Sequence, residues 1–184
     1  MRFTLIYQGD LPPNGSARDK WRIRRELEPQ LRRLWELPPL TDVRKFLDPD
    51  YKPSDCYVGQ RAGAVEYMPL ITDRLELGVE LEVRLLSAAK PGGLLNHCGD
   101  IDNRLKTLFD ALSIPTGQQQ MADGDIEADG RLFCLLQDDR LVTRVDVAND
   151  RLLTVPEHSH EALVIIQVQP VAFRVTMANL AIAG

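Results

Sequence analysis

No apolar run in the 184-residue sequence approaches the roughly 20 residues that a membrane-crossing helix needs. The apolar stretch at the start, Met1 to Tyr7, is too short for a secretory signal, so a cytoplasmic protein is expected. Cysteine is scarce. Cys56, Cys98 and Cys134 are an odd and scattered set, which argues for reduced thiols rather than a disulfide framework. No Cys-x-x-Cys occurs, and His97, Cys98, Cys134, His158 and His160 lack the tight ligand pairing of structural zinc sites. A glycine-rich nucleotide loop and a Gly-x-Ser-x-Gly elbow are also missing. The segment Asp123 to Gly130 looks like a calcium loop but fails the pattern. The sixth and twelfth positions are Ala128 and Cys134 where glycine and glutamate are needed, so a solvated acidic turn is expected.

Hydrophobic residues at 44% and charged residues at 27% are ordinary proportions for a globular chain, and the length suits a single domain, 1–184, with insertions at about 37–63 and 113–137. A net charge of -5 is unlike a typical nucleic-acid binder, although the distribution of charge matters more than its sum.

The most informative stretch runs from Gly99 to Leu112. Ile101, Leu105, Leu108, Phe109 and Leu112 recur at helical spacing, which predicts an amphipathic helix. Asp100 sits where an N-cap would sit and Asp102 falls in the first turn, where carboxylates suit the unpaired N–H groups. Asp102, Lys106 and Asp110 follow at four-residue intervals along one side. Locally this reads as a capped, solvent-facing helix with an ion pair. A second acidic pair, Asp138-Asp139, opens a later strand, Arg140 to Val147. Carboxylates from both places would make an oxygen-ligand set of the kind magnesium takes, completed by waters and substrate phosphate.

The run Asp-Ile-Asp-Asn-Arg-Leu-Lys-Thr-Leu-Phe-Asp-Ala-Leu, followed by Asp-Asp-Arg-Leu-Val, resembles the RusA-type Holliday junction resolvases. That family carries an Asp-x-Asp-Asn-x-x-Lys-x-x-x-Asp-Ala-Leu helix and a downstream Asp-Asp opening a strand. The resemblance implies that Asp100, Asp102 and Asp139 bind Mg2+, with Mn2+ as a substitute, and that Lys106 is the catalytic lysine. Asp138 matches the less critical member of the acidic pair; Asn103 and Asp110 are candidates to support the ligands from behind. It further implies branched DNA as substrate, a homodimer and an α/β (α+β) fold. In the family a short connection with glycine joins helix and acidic pair; here the long segment Ser113 to Gln137 stands there. A non-catalytic DNA- or protein-binding module on the same scaffold, from a phage or mobile element, is the alternative. A merely structural acidic helix would leave Asp139 far from Asp100.

The remaining chain predicts a mixed sheet of four to five strands with two main helices. Arg2 to Tyr7 reads as a strand, and Gln8 to Ser16 as a proline-containing loop. Ala17 to Leu37 reads as a helix, with Trp21, Leu27, Leu31, Leu34 and Trp35 as its buried stripe and Pro29 expected to kink or split it. Seven basic residues lie here, Arg18, Lys20, Arg22, Arg24, Arg25, Arg32 and Arg33, against four acidic ones. They are either a solvated face with internal pairs or a patch holding DNA phosphates, with Arg18, Lys20, Arg22, Arg24 and Arg25 as candidates. Pro38 to Gly63 reads as a long connection with a short helical piece near Val43 to Leu47. Lys45, Lys52 and Arg61 there, and Lys90 further on, are weaker candidates for substrate contact. Arg74 to Leu86 alternates strictly and is the clearest strand, with Ala64 to Leu70 as its expected partner. Leu141, Thr143, Val145 and Val147 would line one face of the Asp-Asp strand, with a turn at Asn149-Asp150. Ala162 to Val168 reads as a central strand ending at Pro170, and Val171 to Gly184 as an edge strand or a closing helix.

Overall fold

The structure, a computed structural model, describes residues 1–52, 54–87, 98–116, 130–153 and 161–183, with 54 and 98–100 described in backbone only. It has the expected α+β architecture. β1 (Phe3–Asp10), β4 (Leu77–Ser87), β6 (Val142–Arg151) and β7 (Glu161–Ala172) form a four-stranded sheet in the order β1-β7-β4-β6. The β1–β7 and β4–β7 pairs are antiparallel and β4–β6 is parallel. A second, unforeseen sheet holds β2 (Gln60–Ala62), β3 (Val65–Ile71) and β5 (Arg131–Leu136) in the order β2-β3-β5. The main helices are α1 (Ala17–Leu34) and α2 (Cys98–Leu112), and a short α3 (Leu180–Ala183) closes the chain. No helix among the described residues is long and apolar enough to cross a membrane.

The alternation of β4 translates directly into burial. Leu77, Val79, Leu81, Val83 and Leu85 are all buried, while Glu80, Glu82 and Arg84 look outward. The strand begins later than the pattern suggests. Asp73–Leu75 is a turn of 3₁₀ helix, and Glu76 adopts the left-handed conformation at φ 53°. The Thr72 hydroxyl accepts from the Leu75 N–H at 3.2 Å and holds that turn. This corner sends the chain from one sheet to the other. It explains why β3, expected beside β4, pairs instead with β2 and β5.

α1 starts at a capping box, in which the Ser16 hydroxyl accepts from Asp19 N–H and the Asp19 carboxylate from Ser16 N–H. Pro29 neither splits nor ends it; the helix is continuous to Leu34. Beyond the proline, Leu31 and Trp35 are buried, and the Gln30 amide clamps β1 by accepting from Ile6 N–H and donating to Ile6 C=O. Those anchors offset the hydrogen bond that proline removes. Trp21 and Leu34, expected in the buried stripe, are only half-buried, and Ile23 takes a full place in it. The short helical piece is a 3₁₀ helix, Leu40–Leu47, whose Leu40, Val43, Phe46 and Leu47 join the core.

Three expectations about the later strands need correction. Leu141 is buried in a 3₁₀ turn, Asp139–Leu141, but Thr143, Val145 and Val147 are exposed, because β6 is an edge strand. No turn falls at Asn149-Asp150, since β6 stays in register with β4 up to Ser87 and Arg151. β7 passes through Pro170 to Ala172 and buries only Ala162, Val164, Ile166, Val168 and Pro170 fully, so its other face is open. Pairing with β1 has already ended at Val168, so one side of Pro170 has no strand to bond. Of the two readings for the C-terminal stretch, the closing helix is found.

Candidate functional site

α2 forms over the predicted motif, and its apolar side buries Leu108, Ala111 and Leu112. Thr107 is buried as well. Its hydroxyl accepts from Gly15 N–H at 2.8 Å and donates to the Asn103 carbonyl at 3.0 Å. A Cβ on Gly15 would stand 2.6 Å from the Thr107 methyl, so the loop after β1 approaches α2 as only glycine permits. This contact was not foreseen; the Pro12-Pro13-Asn14-Gly15 run signals only a turn.

At its C-terminal end α2 is tied to β5. Ser113 bridges Leu136 in parallel register, and Ile114 N–H donates to Leu136 C=O at 3.1 Å. β5 therefore delivers Asp138 and Asp139 beside the last turn of α2. Asp110, Ser113, Ile114, Thr116, Asp138 and Asp139 line one small cavity of about 90 Å³. Two of these carboxylates have structural work. Asp110 lies 2.7 Å from Lys20, and Asp138 caps the next 3₁₀ turn by accepting from Arg140 N–H at 3.0 Å.

Asp139, Asp102 and Lys106 are exposed, and among the described residues none of their side chains has a hydrogen-bond or ion-pair partner. The Asp102–Lys106 pair of a merely stabilising helix is thus not formed. Along α2, Asp102 stands eight residues before Asp110, about 12 Å of helix axis. The structure therefore brings Asp138 and Asp139 to the Asp110 end of α2, while Asp102 lies toward the other end. The Asp100 side chain lies outside the described residues. Asn103 is half-buried. Carboxylates are suitable donors for magnesium, yet among the described residues no three His, Cys, Asp or Glu side chains gather closely enough to hold a metal ion.

The basic face of α1 divides into different roles. Arg18 is exposed and Arg25 half-buried, and neither has a partner among the described residues. Arg22 is exposed but donates to the Asp10 carbonyl at 2.9 Å and pairs with Asp19 at 3.2 Å. Lys20 is occupied by Asp110. Arg24, expected at a DNA surface, is 2% exposed and cannot reach one. Its guanidinium donates to the carbonyls of Asp110 and Ser113 at 2.8 and 3.0 Å and lies 6.0 Å from the ring centroids of both Trp21 and Tyr67. It thus caps the C-terminal carbonyls of α2, where a cation is favoured. Burial lowers the pKa of this guanidinium.

Of the weaker candidates, Lys45 lies over the Tyr51 ring at 5.1 Å, Lys52 and Arg61 are exposed, and Lys90 lies outside the described residues. So do His97, His158, His160 and residues 123–129 of the acidic turn. Cys134 is buried in β5, and burial pushes its thiol up to about 12, which keeps it protonated and unsuited to zinc. Comparison with protein-family models finds no match, and neither a curated protein nor a solved structure matches the chain.

Proposed function

We propose that this chain is a magnesium-dependent endonuclease that hydrolyses phosphodiesters in branched DNA, in the manner of a Holliday junction resolvase. One observation carries the reading. Asp102, Lys106 and Asp139 are charged, exposed and without partners among the described residues, on α2 and on the segment that β5 holds against α2. Their neighbours Asp110, Asp138 and Lys20 are engaged in holding the fold. On α2 and the Asp138-Asp139 segment, the charged side chains left without partners among the described residues are ones the motif assigns to chemistry.

In this reading Asp100, Asp102 and Asp139 would be the residues that hold the metal, which would supply a water of lowered pKa and polarise the scissile phosphate. Lys106 stabilises charge on the phosphate oxygens or the leaving oxygen. Asn103 orients a ligand carboxylate. Arg18 and Arg25, with Arg22 beside them, position the DNA backbone. A homodimer presents one site to each of two strands.

The second reading is a non-catalytic DNA- or protein-binding module. The position of Asp139 near Asp110 rather than Asp102 favours it, and equally favours an acidic helix that serves the fold alone. Asp102→Asn separates the two. In the nuclease it abolishes cleavage and preserves or strengthens junction binding, because a repulsive charge is lost. Equal loss of binding and cleavage in a folded variant contradicts the assigned role, and binding without cleavage by the wild type favours the module.

A further inference from the structure

A cavity of about 330 Å³ lies between the end of α1, the 3₁₀ helix Leu40–Leu47 and the start of β5. That is the lower end of the range for small-ligand sites, roughly 300 Å³ upward. Trp35, Leu47 and Phe133 give it an apolar lining. Three arginines reach it from three elements: Arg32 from α1, Arg44 from the 3₁₀ helix and Arg131 from β5.

Two of these guanidinium groups are fixed by the fold. Arg32 Nε donates to the buried Glu28 carboxylate at 2.8 Å, its Nη2 donates to the Arg131 carbonyl at 3.1 Å, and its Cζ lies 4.7 Å from the Phe133 ring centroid. Arg131 Nε donates to Glu66 at 3.3 Å. Side chains already ordered in this way lose little entropy when a ligand arrives. Arg44 is exposed and has no ion-pair partner among the described residues. The lining includes two carboxylates, and both are turned to other work. Glu36 pairs with Arg33 at 2.7 Å, and Asp48 accepts from Asp50 N–H at 2.9 Å. Within the lining, arginines outnumber carboxylates three to two in a chain of net charge -5, while Glu28 and Glu66 balance Arg32 and Arg131 from outside it.

We propose that this cavity binds a phosphate group, gripped by Arg44 against the preset Arg32 and Arg131. A planar carboxylate is met by one guanidinium fork. Three guanidiniums carried by three different elements suit a tetrahedral group, whose oxygens can accept from more than one fork. The phosphate comes either from a free phosphomonoester, such as a nucleoside monophosphate, or from a DNA strand. The site shares no residue with the proposed nuclease centre and stands or falls independently of it.

The test is calorimetric titration of the full chain with inorganic phosphate, thymidine 5′-monophosphate, and a short single-stranded oligonucleotide with and without a 5′-phosphate, at constant ionic strength in chloride. Saturable binding is expected, weakened about tenfold or more by Arg44→Glu and less by Arg44→Gln. Arg44 is exposed, so both variants should melt like the wild type. Binding confined to the small phosphates identifies a free phosphomonoester, and binding confined to the oligonucleotides identifies a strand; each supports the site if Arg44→Glu removes it. Absence of saturable binding to every probe, or binding that Arg44→Glu leaves unchanged, overturns the proposal.

Discussion

The Lys20 ammonium lies 2.7 Å from the Asp110 carboxylate, which ties the first turns of α1 to the last turn of α2. One turn further along α1, Arg24 donates to the Asp110 and Ser113 carbonyls and closes the same end of α2 from within. Two cations that look alike in the sequence thus fix the helix that carries the candidate site.

Arg24 and Arg18 should separate stability from binding. Arg24→Ala removes a buried cation, leaves two carbonyls without their donor and opens a cavity, at a cost of about 3 kcal/mol. Arg18→Glu, on the exposed face, should change stability by less than about 0.5 kcal/mol and weaken DNA binding. Urea denaturation and a DNA-binding titration on both variants check this. A harmless Arg24→Ala would contradict the capping role.

Gly15→Ala tests the packing of the loop on α2. The added Cβ meets the Thr107 methyl at 2.6 Å and the Thr107 hydroxyl at 3.2 Å, so the loop must shift and the Gly15 N–H bond to Thr107 lengthens. A loss of about 1–3 kcal/mol is expected. Gly15→Ala/Thr107→Ser, which removes the methyl and keeps the hydroxyl, should recover part of it in the same denaturation assay.

Asp19 gives the fold an acid-sensitive contact. Burial alone would raise its carboxyl, but hydrogen bonds from Ser16 and the nearby Arg22 guanidinium outweigh that and hold it below the usual value. A folded-state pKa below the unfolded one adds stability that is fully present above about pH 4 and is lost as pH falls through the folded value. Asp19→Asn should therefore be less stable than the wild type at pH 7, with the gap closing as acid is added. A gap independent of pH would show that the carboxylate charge contributes nothing.

The sequence carries much of this plan, and the exceptions have physical causes. Strict alternation from Leu77 to Leu85 places β4, because one buried face leaves no other register. The acidic pair at the head of β6 is legible as well, but its neighbour is not. Which end of α2 meets Asp139 depends on the bridge from Ser113 to Leu136, a long-range contact without local signature. The second sheet was hidden by a left-handed Glu76, a conformation rare outside glycine and asparagine. Arg24 was hidden among its basic neighbours, although a signal existed: it lies three and seven residues before Leu27 and Leu31, on the face that the helix buries.

The most direct measurement is incubation of the purified chain with a synthetic four-way DNA junction, with and without magnesium, beside linear duplex and the Asp102→Asn variant. The account predicts symmetric, magnesium-dependent nicks at the junction, absent from the variant although it still binds. A wild-type chain that cuts no branched DNA, or a variant that cuts as well as the wild type, would contradict it.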